Sequence, residues 1–115
     1  MRYRLAIVAI LVSLPSGALA GADIMGVGLD SCAIFAKAYQ SDPTSAETLY
    51  FQWAAGFMSA WDVGLQEGGK RPNDLSAISF EQQKEFLRQY CNSHPLAQYV
   101  EGVVELLRTL PYIEK

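Results

Sequence analysis

Few residues in this 115-residue chain are of the types that do chemistry. Glu81 with Glu85, and Glu101 with Glu105, stand four apart. On a helix, each pair shares a face and can work as acid and base or hold a hard cation. Lys84 and Arg88 stand among the first pair and partly neutralise it. The simpler reading of both pairs is solvated surface charge. His94 is the only histidine and precedes Pro95, a place suited to a cap or surface residue rather than a base. Cys32 and Cys91 are the only thiols, and neither H-E-x-x-H nor a paired-cysteine metal spacing occurs. The Gly26-Val27-Gly28 run has no strand before it and no third glycine after it, so it does not read as a phosphate loop. An enzyme needs nucleophile, base or metal gathered in one place. We therefore expect no catalytic residue, no metal and no cofactor.

The elements that must position any remaining function begin after residue 20. Arg2 and Arg4, the apolar run from Leu5 to Leu14, and Pro15 to Gly17 followed by small residues have the three-part layout of a secretory signal peptide. The apolar stretch is about half the roughly 20 residues that cross a bilayer, so cleavage is expected rather than a lasting membrane anchor. Two A-x-A sites overlap, ending at Ala20 and at Ala22, and we favour Ala20. The expected mature chain, 21–115, carries 7 basic and 12 acidic residues, a net charge of -5. That balance argues against nucleic acid and anionic lipid, which require clustered cations. Export makes a Cys32 to Cys91 bridge durable, whereas a redox pair would be expected to show C-x-x-C.

The hydrophobic spacing predicts an all-α, four-helix single domain. Asp30 is placed to cap a first helix over 31–40, with Cys32, Phe35, Ala36 and Tyr39 on one side. Thr44-Ser45-Ala46-Glu47 has the form of a capping box for a second helix, whose stripe is Tyr50, Trp53, Ala54, Phe57, Met58, Trp61 and Leu65 before Gly68-Gly69. Gly56 and Gly64 beside the tryptophans suggest close approach of another element. A turn-rich connection over 68–78 contains the basic pair Lys70-Arg71, read as a solvated loop. Ser79 and Gln82 open a third helix carrying Phe80, Gln83, Leu87, Tyr90 and Cys91. Pro95 suits the first turn of a fourth helix with stripe Leu96, Tyr99, Val100, Val103, Leu107 and Leu110.

Large aromatics are enriched in binding hot spots. Trp53, Phe57 and Trp61, with the aliphatic face Leu96, Val100 and Val103, are therefore the expected client- or partner-binding residues. The same aromatics also suit a core. One cysteine near the mature start, a tryptophan-bearing central helix and Tyr90-Cys91-Asn92-Ser93-His94-Pro95 together resemble the HdeA/HdeB family of periplasmic acid-stress chaperones. The resemblance implies a small helical fold with one disulfide, and a homodimer that dissociates in acid to expose apolar surface to unfolding protein clients. The alternative is a module for one fixed protein partner at neutral pH, such as an immunity protein or an inhibitor of a cell-wall hydrolase. Amino-terminal sequencing of the exported protein is expected to begin Gly21-Ala22-Asp23. A start at Asp23 would assign cleavage to the second site.

Overall fold

The computed structural model describes residues 23–114, so the expected signal segment lies outside the described residues. Four helices follow a short 3-10 turn at Gly26–Leu29: α1 (Cys32–Ser41), α2 (Pro43–Glu67), α3 (Phe80–Ser93) and α4 (Tyr99–Thr109). Among the described residues there is no strand, only the isolated bridges Ser31 to Gln98 and Asn73 to Tyr112. The fold is all-α, and Cys32 is joined to Cys91.

Local chemistry sets the helix ends. Ser79 Oγ accepts the Gln82 amide while the Gln82 side chain accepts the Ser79 amide, so the expected capping box forms around the start of α3. Gly69, at a φ of 73°, ends α2 in a Schellman arrangement: the Lys70 amide reaches the Leu65 carbonyl at 2.8 Å and the Gly69 amide that of Gln66 at 3.0 Å.

Three expected starts are displaced, each because tertiary partners claim the residue. Ser31 rather than Asp30 caps α1, accepting the Ile34 amide at 3.2 Å. Asp30 is taken up by Tyr50, whose hydroxyl donates to its carboxylate at 2.6 Å. The Thr44 box does not form as the start of α2. Asp42 caps that helix by accepting the Ser45 amide, Pro43 occupies the first turn, and Glu47 turns away to pair with Arg88. The fourth helix begins at Tyr99 instead of Pro95. The carbonyls of Pro95 and Ala97 accept the Ala33 and Cys32 amides at 3.0 and 2.7 Å, and so satisfy donors that the first turn of α1 leaves unpaired.

The core draws on all four helices: Phe35 from α1; Tyr50, Phe51, Ala54 and Met58 from α2; Leu87 from α3; and Tyr99, Val103, Leu106 and Leu107 from α4. Phe35, Tyr50 and Tyr99 pack with ring centroids 4.9 to 5.2 Å apart, inside the favourable range for aromatic pairs. The close approach expected at Gly56 and Gly64 is not found, since both face open space. It occurs at Gly102, where a Cβ would lie 2.7 Å from the Tyr90 ring, and at Gly28, where it would overlap the Trp53 ring.

The connection after α2 is fastened rather than merely solvated. Asn73 is buried, its amide donates to Asp62 Oδ1 at 2.9 Å, and its Nδ2 donates to the Leu107 carbonyl at 3.1 Å. Asp74 and Pro72 add backbone bonds to Pro111 and Ile113. Gln83, the polar residue on the apolar side of α3, is also buried, and its Nε2 holds the Leu75 carbonyl at 2.7 Å. Gln83 therefore fixes the irregular segment by satisfying its main chain, and Asn73 by tying it to the end of α4.

The disulfide spans 59 residues and is buried at both ends. The chain-entropy relation assigns such a loop on the order of 4 kcal/mol. The double change Cys32→Ala with Cys91→Ala is expected to lower unfolding stability by about that amount. The readout is a reduced urea midpoint on a transition that stays helical at its folded baseline.

Candidate functional site

The long helix α2 carries two apolar faces, and both bear on function. On one, Trp53 and Phe57 stack at 5.3 Å with their planes 19° apart, and Phe57 continues to Trp61 at 6.1 Å. This ladder is half-buried along its length. Its base is Tyr99, whose ring lies edge-on to Trp53 at 6.4 Å. Its first rung is covered by the chain before α1: the Trp53 indole donates to the Met25 carbonyl at 2.8 Å, and Gly28 lies against the ring.

The other flank of the core-facing line forms a groove of about 570 Å³, lined by Phe51, Ala55 and Met58 of α2, Leu75 and Ile78 of the connection, and Phe80 of α3. Phe80 is 69% exposed and meets Phe51 at a steep angle, with centroids 5.9 Å apart. Polar side chains in the lining already have internal partners. Ser59 donates to Ala55, Ser76 to Asp74, Ser79 belongs to the capping box, and Gln83 holds Leu75. The groove thus offers apolar surface with little unmet polar demand, a chemistry suited to aliphatic and aromatic groups.

The aliphatic half of the expected binding set is not gathered into a face. Val100 and Val103 are fully buried, and neither can touch a partner while the bundle is closed. Leu96 is 94% exposed, but it lies in the turn before α4 and shares no helix face with them. The groove was the missed feature. Its signal was a second apolar register on the central helix, Phe51, Ala55 and Met58 at steps of four and three, completed by Leu75 and Ile78.

The charged residues considered for chemistry have local occupations. Glu81 pairs with Lys84 at 3.1 Å, Glu85 accepts from Gln89 at 3.2 Å, Glu101 accepts the Gln98 amide at 2.6 Å and Glu105 pairs with Arg108 at 3.2 Å. His94 stacks on Tyr90 with centroids 4.3 Å apart, and its Nδ1 lies 2.9 Å from the Tyr90 carbonyl at the end of α3. Lys70 and Arg71 are exposed, with the Arg71 guanidinium 5.8 Å over the Tyr112 ring. Among the described residues no three His, Cys, Asp or Glu side chains converge as metal ligands.

Beneath the ladder, burial first and then the Asp30 hydrogen bond hold the Tyr50 hydroxyl protonated well above the usual tyrosine range. Burial likewise raises Tyr99, aided by the charge of Glu47. Hydrogen bonds from Ser45 hold the Asp42 carboxyl below the usual carboxylate range. No family model, curated protein or solved structure matches this chain.

The tyrosine shifts set an alkaline limit. A folded-state value above the unfolded one makes the folded chain retain the proton, so stability is complete below about pH 10 and falls as pH rises through it. Each such group contributes up to about 1.4 kcal/mol per pH unit. Tyr50→Phe is expected to flatten that decline and to cost roughly 1.5–3 kcal/mol at neutral pH by removing the bond to a charged acceptor. Urea unfolding across about pH 7 to 12 checks both.

Proposed function

We propose that this protein is a binding protein for apolar segments of unfolding proteins, held closed at neutral pH and opened by acid in an exported compartment. One observation carries the reading: carboxylates fasten the helices that seal the apolar faces. Asp30, just before α1, accepts the hydroxyl of Tyr50 on α2, and Glu47 of α2 pairs with Arg88 of α3. Asp42 caps α2, and Glu101 closes the first turn of α4. Val100 and Val103 are fully buried while the helices are packed. Protonation of carboxylates in acid weakens contacts of this charge-assisted kind. For Asp42 the depressed folded value means that its contribution is present above the ordinary carboxylate range and is lost as pH falls through it.

Net charge acts in the same direction. The expected mature chain passes from -5 to about +8 when 12 carboxylates are neutralised and His94 is charged. Self-repulsion at that charge favours expansion and separation of subunits, while the Cys32 to Cys91 bond limits how far the chain opens. The resemblance to the HdeA/HdeB family supports the same reading. No catalytic chemistry is part of it.

A second reading, one fixed protein partner at neutral pH, is favoured by the groove between α2 and α3, which is open in the folded chain. Aggregation of a model client at about pH 2 to 3 and at pH 7 separates the two. Suppression in acid by the oxidised protein, with none at pH 7, is the expected result. A soluble protein that gives no protection in acid removes the acid-chaperone reading. Recovery of one stoichiometric partner from an envelope extract at pH 7 would establish the second.

A further inference from the structure

The chain from Met25 to Leu29 crosses the first rung of the aromatic ladder as a strap, and its attachment has an unusual composition. It is held largely by main chain. The Trp53 indole donates to the Met25 carbonyl at 2.8 Å. Gly26, at a φ of 82°, lies so close that a Cβ would sit 3.1 Å from the indole nitrogen. Gly28 is buried with no room for any side chain against the six-membered ring. Met25 is 82% exposed and Leu29 nearly half, so the large side chains at both ends point away from the contact, and only Val27 packs toward the core. No charged residue lies between Met25 and Leu29. The strap itself has a single 3-10 turn without a side-chain cap, closed by the Asp30 amide on the Val27 carbonyl at 3.1 Å.

The indole recognises a backbone carbonyl and lies against two residues with no side chain, so this contact needs small residues and main chain rather than any large side chain. The strap packs on both α2 and α4, but Val27 is the one side chain it directs at the core, and a short segment with so little buried side chain belongs to the more easily opened part of a fold. We infer that the strap is a built-in occupant of the Trp53 and Phe57 surface. It fills the place that a glycine-containing apolar segment of another chain takes when the strap lifts, and so keeps the first rung covered in the resting protein. The inference rests on the proposed binding of apolar segments and adds its regulation.

Gly28→Ala forces the strap away from the ring, while Gly56→Ala, on open surface of the same α2 helix, is the control. The apolar dye bis-ANS at pH 7 is the probe. Gly28→Ala is expected to shift tryptophan emission to the red and raise apparent dye affinity by roughly five- to tenfold, because a closed resting state lowers apparent affinity by the fraction open. It should retain a cooperative urea transition, and Gly56→Ala should match the unaltered protein. An emission shift without a gain in dye binding, or no shift at all, overturns the inference. A second measurement uses the unaltered chain, so the result does not depend on the variant folding. Saturating dye must accelerate amide exchange from Val27 to Asp30, and protection that survives with dye bound also overturns it. Failure of the client reading alone looks different: Gly28→Ala gains dye but protects no client at any pH.

Discussion

The first turn of α1 begins against the turn that precedes α4, and the rest of the bundle is arranged around that joint. The amides of Cys32 and Ala33 would be unpaired donors at a helix start. They take the carbonyls of Ala97 and Pro95, while the Tyr99 amide returns a bond to the Asp30 carbonyl at 2.8 Å. The Cys32 to Cys91 disulfide lies within the same knot, with Cα atoms 4.6 Å apart. Three chain segments are thereby held together by main-chain bonds and one covalent link, none of which depends on a large side chain. Tyr99 enters α4 from this joint, and its ring forms the centre of the aromatic packing with Phe35 and Tyr50.

From that centre, α2 distributes the apolar surface. At 25 residues it is the longest helix, spanning about 37 Å at the standard rise per residue. Its inner line, Tyr50, Ala54 and Met58, serves the core. The flanking lines are only partly covered: the tryptophan ladder by the strap, and the Phe51 to Met58 line by the connection and Phe80. A single amphipathic face would have left no such surplus. A helix apolar on more than one side must be buried by more than one neighbour, and α2 lacks enough neighbours to bury both flanks.

The polar groups in the interior have a different task. Gln83 is buried because it satisfies a carbonyl of an irregular connection that would otherwise be desolvated without a partner, and Asn73 because its side chain donates to a carbonyl in the last turn of α4. Asp30 and Glu47 are taken from their expected capping duties to fasten α2 to its neighbours. A helix cap has several substitutes close by in sequence, as Ser31 and Asp42 demonstrate, whereas a buried tyrosine hydroxyl or a guanidinium between helices does not. The stronger demand takes the residue.

What the sequence alone determined was whatever depends on neighbours within about one helical turn. The 3.6-residue spacing, the Ser79 and Gln82 box and the Gly68-Gly69 stop were sufficient for an all-α chain of four helices, because the partners of each lie a few residues away. The cysteine count, read with the expected export segment, left one bridge to make. Tertiary structure alone decided which of several adequate caps was used, why α4 waits until Tyr99, and which glycines carry close packing. Gly56 and Gly64 sit beside tryptophans in sequence yet face open space, while Gly28 meets Trp53 from 25 positions away. It also decided that Val100 and Val103 belong to the interior and that a groove opens beside Phe51. Periodicity identifies an apolar face, but what covers that face depends on where distant segments pack, and the folded chain alone fixes that.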